Sequence, residues 1–182
     1  GPIRQDALHF FVAYDGKNVD LEVRTRDTWT LNPGVNFSRA GGENEYAVQI
    51  QEKNLLGRGQ SLELEWQSDT DREALTLSFS DPHFVKSFTR LAVAYSDASD
   101  GSTKYFSLER PFYALDTRWS LGGSVHDEVR VDPMYDLSEQ IDEFAHEIRA
   151  FTLRGGWSRG LIDRRARRWL YGITSEEHRF SP

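Results

Sequence analysis

Apolar and polar residues alternate along most of this chain with a period of two. Val19, Leu21 and Val23 are separated by Asp20 and Glu22, and Tyr46, Val48 and Ile50 by Ala47 and Gln49. The same rhythm recurs at Leu62, Leu64 and Trp66, at Leu75, Leu77 and Phe79, at Leu91, Val93 and Tyr95, at Phe106 and Leu108, and at Trp119 and Leu121. Successive side chains on a strand point to opposite faces, so each run predicts a strand with one apolar and one polar face. Short polar or glycine-rich stretches punctuate the runs: Asp15-Gly16-Lys17-Asn18, Gly41-Gly42-Glu43-Asn44, Ser68–Asp71 and Ser96–Ser102. Asn54–Gly59, Asp81-Pro82 and Arg110-Pro111 fall between them, and proline marks strand ends because it lacks the ladder donor. Strands at this spacing predict an all-β, antiparallel meander, built as a barrel or a sandwich.

The later part of the chain reads less regularly. Val125–Gln140 is rich in acids and holds Pro133, and is expected to be a long loop. Ile141–Leu153 is assigned to a strand, although Ile141, Phe144, Ala145 and Ile148 also fit a helical stripe. Asp163–Trp169 suits a short helix or a strand entry, and Arg168–Phe180 a last strand.

Alternation alone leaves two architectures open. In a soluble sandwich the apolar face points into a core, whereas in a membrane barrel it meets lipid and the polar face lines the lumen. Aromatic residues gather near strand ends, at Trp29, Tyr46, Trp66, Phe79, Tyr95, Tyr105, Phe112 and Trp119, as interfacial girdles require. The turns also alternate: Ser68–Arg72 and Ser96–Thr103 are polar, whereas Asn54–Gly57, Asp81–Phe84 and Arg110–Tyr113 are compact and partly apolar. Both features favour a two-ended molecule in a membrane. Leu62, Leu64, Trp66, Leu75, Leu77 and Phe79 are then the lipid-facing residues.

Composition narrows the functional classes. The chain has 182 residues, with 22 Lys+Arg against 29 Asp+Glu, and this acidic balance argues against a nucleic-acid partner. It contains no cysteine, which removes disulfides, thiolate catalysis and Cys-type zinc sites. Aromatics make up 13% of a chain that is only 38% hydrophobic, and no apolar run reaches the roughly 20 residues of a spanning helix. The opening residues carry no secretory leader, and further sequence is expected upstream.

Several segments are similar to a known family. Glu52–Leu62, with Asn54, Leu55, Leu56, Gly57 and Gly59, resembles the first periplasmic turn of BamA-like outer-membrane barrels, the bacterial surface antigen superfamily. Phe79–Phe84, with Asp81, Pro82 and Phe84, resembles the next such turn, and Arg110–Thr117 sits where the third belongs. Thr25–Leu31 resembles the junction between the last periplasmic (POTRA) domain and the first barrel strand. The resemblance covers about residues 8–124.

It implies that residues 1–27 close a POTRA-like domain and that 28–182 supply eight or nine strands of an outer-membrane barrel, about half of what the family builds. The family's later Arg-Gly-aromatic loop has no good counterpart, Arg154-Gly155-Gly156-Trp157 being a poor match, and no final strand ends on an aromatic at the last residue. The implied role is insertion or translocation of polypeptides at the bacterial outer membrane. The implied partners are the lipid bilayer, a polypeptide client or periplasmic partner, and a second copy if an incomplete barrel must be completed. A gate strand, with Thr28, Trp29, Leu31, Pro33, Gly34, Val35 and Phe37, would part from its neighbour and offer its edge to an incoming strand. Pro33 and Gly34 either weaken that ladder or shape the bend into the barrel. The alternative function is a soluble β-sandwich module that binds carbohydrate or protein, and a third is a barrel fused to an enzyme domain lying upstream.

No catalytic, cofactor or metal residue is assigned. Gly156-Trp157-Ser158-Arg159-Gly160 matches a nucleophile-elbow pattern, with Asp163 and His178 following, but the strand–turn–helix of an α/β sheet is missing and the segment reads as a glycine-rich turn. His126, Asp127, Glu128, Asp132 and Asp136 lack a calcium-loop spacing and read as a solvated loop. Arg159, Arg164, Arg165, Arg167 and Arg168 suit either lipid phosphates or a charged turn. Glu63 and Glu65 read as lumen-lining, and His9, His83, His146 and His178 are scattered without metal-ligand spacing.

Overall fold

A computed structural model describes residues 9–14, 19–24, 30–40, 43–70, 72–136 and 139–181. Among these residues there are strands and turns and no helix, which is the all-β antiparallel fold that the alternation predicts. The expected turns at Asp15–Asn18 and Gly41-Gly42 lie outside the described residues, as do Thr28 and Trp29 of the expected gate strand.

Contacts divide the chain into Gly1–Thr30 and Leu31–Pro182. The first unit holds β1 (His9–Tyr14) and β2 (Val19–Arg24), paired antiparallel with His9 opposite Arg24 and Tyr14 opposite Val19. The second is one sheet of nine strands: β3 (Leu31–Ala40), β4 (Glu43–Leu55), β5 (Gln60–Ser68), β6 (Glu73–Phe84), β7 (Thr89–Ala98), β8 (Gly101–Arg110), β9 (Trp119–Asp136), β10 (Glu139–Ile162) and β11 (Arg165–Ser181). Strand order in space is strand order in sequence, so the sheet is a simple meander. Among the described strands it is not closed, and β3 and β11 are its edges.

Register places the alternating runs on common faces. Val48, Trp66 and Leu75 lie in one cross-strand row, and Leu64, Leu77 and Tyr95 in another, all on one side of the sheet. Glu63, Ser78 and Ala94 lie on the other. Pro33 sits on edge strand β3, opposite Ile50, a position where its missing donor costs no second ladder bond.

Two expectations are corrected. Val125–Gln140 is not a loop: β9 runs to Asp136 and β10 starts at Glu139. Charges suggested solvent here, but many pair across or along strands, Arg149 with Asp127 and Arg130 with Asp132, both at 3.1 Å. Pro133 is tolerated because β8 reaches only Arg130 of β9, and the last bond on that side is Val131 N–H to the Asp100 carbonyl at 2.7 Å. Gly156–Gly160 is not a turn but part of β10, with a bulge between Ser158 and Leu161. The Ile141–Leu153 segment is strand, and Asp163–Trp169 resolves into a turn at Asp163-Arg164 followed by β11.

Gly101 is fixed by a close approach. A Cβ there would lie 1.8 Å from the Val129 carbonyl oxygen, on the backbone of β9. Gly101→Ala is therefore expected to cost about 3 kcal/mol by forcing β8 from β9. Gly123→Ala, whose added Cβ would meet its nearest neighbour at an ordinary 3.4 Å, should cost under about 1 kcal/mol. Urea midpoints of the two variants, read by circular dichroism, check the difference.

Candidate functional site

The sheet has its apolar and polar sides reversed from those of a water-soluble domain. Among the described residues no apolar side chain is buried, while Asp81, Ser107, Thr117, His146 and Ser158 are. Along β5, Leu62, Leu64 and Trp66 are exposed, whereas Glu63 and Glu65 between them are half-buried. β6 repeats this, with Leu75 and Leu77 exposed and Thr76 and Ser78 half-buried. The polar face is therefore the more sheltered side.

The apolar face forms a band across all nine strands. It runs from Val35 and Phe37 on β3 through Val48, Leu64, Leu77, Val93 and Phe106 to Val125, Phe151 and Ile173. On β6 the band is bounded by Glu73 and Asp81, an interval of about 27 Å along the strand. Phe79, named with the other lipid-facing residues, shares this face but is only half-exposed.

At one end of the band Trp119, Trp157 and Trp169 stand directly opposite one another on β9, β10 and β11. Arg110 on β8, opposite Leu121, reaches the row with its guanidinium 4.1 Å from the Trp119 ring centre. At the other end the same face carries paired charges, Asp127 with Arg149 and Glu147 with Arg179 at 3.9 Å.

The polar face is a net of side-chain hydrogen bonds. Gln51 donates to Glu63, Gln67 to Glu45 at 3.0 Å, Thr76 to Ser96 at 2.9 Å and Arg154 to Glu109 at 2.7 Å. Towards the charged end, His146 and His178 meet at 2.9 Å and His178 meets Glu176 at 2.7 Å. Glu63 and Glu65 thus lie on the sheltered face, with Glu63 held by an amide and not by an acid–base partner.

The compact turns share one end of the sheet. In the first, Leu56, Gly57 and Gly59 have positive φ, and the Gly59 N–H donates to the Asn54 side chain at 2.7 Å. This accounts for the Asn-Leu-Leu-Gly-x-Gly spacing: Asn54 closes the loop that the glycines allow. In the second, Asp81 accepts from His83 N–H at 2.8 Å and from Gln60 at 2.7 Å, which ties it to the first turn. Val85 and Lys86 follow with φ near 55°, a strained geometry for a β-branched residue. Phe88 stacks on Tyr113 with ring centres 3.8 Å apart, joining the second turn to the third. The third, 111–118, bonds to β10 through Ser158 N–H and the Arg118 carbonyl at 2.8 Å, and Arg168 donates to the Ala114 carbonyl at 3.0 Å. Gly156 is needed here, because a Cβ would lie 2.6 Å from Phe112. Bulges precede the first two of these turns, between Glu52 and Leu55 and between Asp81 and Phe84, and a third, between Ser158 and Leu161, precedes the Asp163-Arg164 turn. Sequence reading found the turn motifs but missed the Trp119–Trp157–Trp169 row, which only register brings together.

Other sets named from sequence do not assemble. Ser158 is buried, its oxygen accepts from Gly160 N–H, and His178 lies opposite Ile148, about 33 Å along β10. His126 and Glu128 meet at 3.1 Å on the polar face, but Asp127 lies on the apolar one, so the set does not gather. Among the described residues no group of three His, Cys, Asp or Glu gathers as metal ligands. The expected gate residues Leu31, Pro33, Gly34, Val35 and Phe37 all lie on edge strand β3. Neither a family model nor a curated protein matches the chain.

Asp81→Ala leaves Gln60 and His83 N–H without their acceptor at a buried position. The expected loss is about 2 kcal/mol, with the first two compact turns uncoupled, whereas Asp69→Ala on an exposed turn should cost under about 1 kcal/mol. Hydrogen exchange at Gly57–Gln60 checks the coupling: it should quicken in Asp81→Ala only.

Proposed function

We propose that this chain forms part of the wall of a BamA-like β-barrel that acts in insertion or translocation of polypeptides at the bacterial outer membrane. The observation that carries this reading is the inverted sheet: a continuous exposed apolar band backed by a sheltered, hydrogen-bonded polar face. In water such a band would be covered, and among the described residues of Leu31–Pro182 there is only one sheet, so the apolar face has no second layer to pack against. A lipid surround covers it without one. A tryptophan row at one boundary and charges at the other suit the two interfaces of a bilayer.

The transport part of the reading rests on the edges. Among the described strands β3 has a neighbour, β4, on one side only, and it carries Pro33 and Gly34. An incoming strand would pair there by β-augmentation, with the side chains of alternate residues entering the lipid and the sheltered face. The compact turns would face the periplasm, as the resemblance of Asn54–Gly59 and Asp81–Phe84 to periplasmic turns implies.

The test separates lipid from water as the covering phase. The purified chain should form β-structure and a discrete particle in detergent or vesicles and aggregate in plain buffer. A dispersed β-rich monomer in buffer would overturn the reading. Leu77→Arg, at mid-band, should weaken membrane integration by about 2–4 kcal/mol, and Thr76→Arg on the sheltered face by much less. Equal losses would argue against a lipid-facing band.

A further inference from the structure

Beside the tryptophan row lies a pocket whose lining includes Trp157, Arg159, Asp163, Arg165, Arg167 and Trp169. We infer that this pocket binds the phosphate headgroup of an anionic glycerophospholipid in the leaflet at the compact-turn end, which rests on the membrane reading above.

The position is set by register. Trp157 and Trp169 are directly opposed on β10 and β11, and alternation from Trp169 puts Arg167 and Arg165 on the same outward face, one and two steps nearer the turn. The hairpin closes at Asp163-Arg164, both at positive φ, with Ile162 opposite Arg165. A two-residue turn of this kind holds the two strands tightly paired and keeps the three guanidinium groups near one another. Alternation from Trp157 puts Arg159 on this face too, and the bulge between Ser158 and Leu161 shifts the parity beyond it so that Ile162 faces the same way.

The charge is uncompensated. Five arginines elsewhere in the sheet have carboxylate partners: Arg72 has Asp100, Arg130 has Asp132, Arg149 has Asp127, Arg154 has Glu109 and Arg179 has Glu177. Arg159, Arg165 and Arg167 form no ion pair or side-chain hydrogen bond with any described residue. Three arginines against one aspartate leave a net positive pocket. Guanidinium presents paired N–H donors that match phosphate oxygens.

The occupant is a lipid and not a free phosphate because of what adjoins the pocket. Both tryptophans are exposed, Trp169 at 68%, and they stand at the boundary of the apolar band. A headgroup held by the arginines would place its glycerol at the tryptophan row and its acyl chains along Leu153, Tyr171 and Ile173, which share that face. Indole rings favour this depth, where one edge is apolar and the other wet.

The test uses the full chain reconstituted into dioleoylphosphatidylcholine vesicles that carry a trace of spin-labelled phosphatidylglycerol or spin-labelled phosphatidylcholine. Electron paramagnetic resonance reads the motionally restricted fraction of each lipid. Phosphatidylglycerol should associate at least about fivefold more strongly than phosphatidylcholine. The double variant R165Q/R167Q should bring that ratio to about one, R165K/R167K should keep most of it, and R149Q at the opposite end should leave it unchanged. Circular dichroism of each variant shows whether the sheet is intact, and R159Q provides a second, single-charge test that should lower the ratio by part of the way. A ratio of one in the unaltered protein, or a ratio that survives R165Q/R167Q, overturns the site while leaving the membrane reading in place. A chain that integrates into vesicles of neither composition overturns both.

Discussion

The main-chain hydrogen-bond ladder is what the rest of this structure depends on. In most domains burial of apolar side chains drives assembly and the ladder follows. Here the apolar side chains lie on the exposed face, and among the described residues none is buried. Little side-chain burial is left to hold one strand to the next, apart from the polar net on the sheltered face. The continuous register from β3 to β11 therefore has to carry the cohesion. In a medium without water such a ladder is strong, because the alternative is an unpaired N–H or C=O that nothing solvates. The same constraint makes the edges β3 and β11 the places where pairing remains to be satisfied.

The turns and the polar net turn that ladder into a defined shape. At the compact end, Gln60 reaches Asp81, Phe88 reaches Tyr113 and Arg118 reaches Ser158, so each turn is tied to the next. At the other end the turns are short and polar, with Arg72 paired to Asp100 across them. The asymmetry matters for the proposed role: one end is braced, while β9, β10 and β11 run on beyond their neighbours at the other, carrying His146, His178 and Glu176 on the sheltered face.

Much of this could be read from sequence because a period of two is local. Leu62, Leu64 and Trp66 declare a strand face without any knowledge of what lies beside them. The turn motif at Asn54–Gly59 was legible for a similar reason, since its chemistry is contained within six residues. Val125–Gln140 was misread because its charges and Pro133 suggest solvent when taken alone. Their strand character depends on partners on β10, and on β8 having ended before Pro133, neither of which a local window contains. Gly156 was taken for a turn residue, whereas its role is to leave room for Phe112, far away in the chain. The tryptophan row was hidden likewise, as a product of register between three strands, whereas the arginines beside it were visible as a local cluster.

The meander has a consequence for how this sheet comes into being. Each strand of the second unit pairs only with the strand before and the strand after it, so every pairing closes a loop of one hairpin. Loop closure of that length costs little chain entropy, and no step has to wait for distant segments to meet. The sheet can grow by accretion, one hairpin at a time, in the order in which the chain is delivered. The one junction that such growth never makes is between its first strand and its last. Whatever pairs those two edges sets the timescale on which assembly finishes.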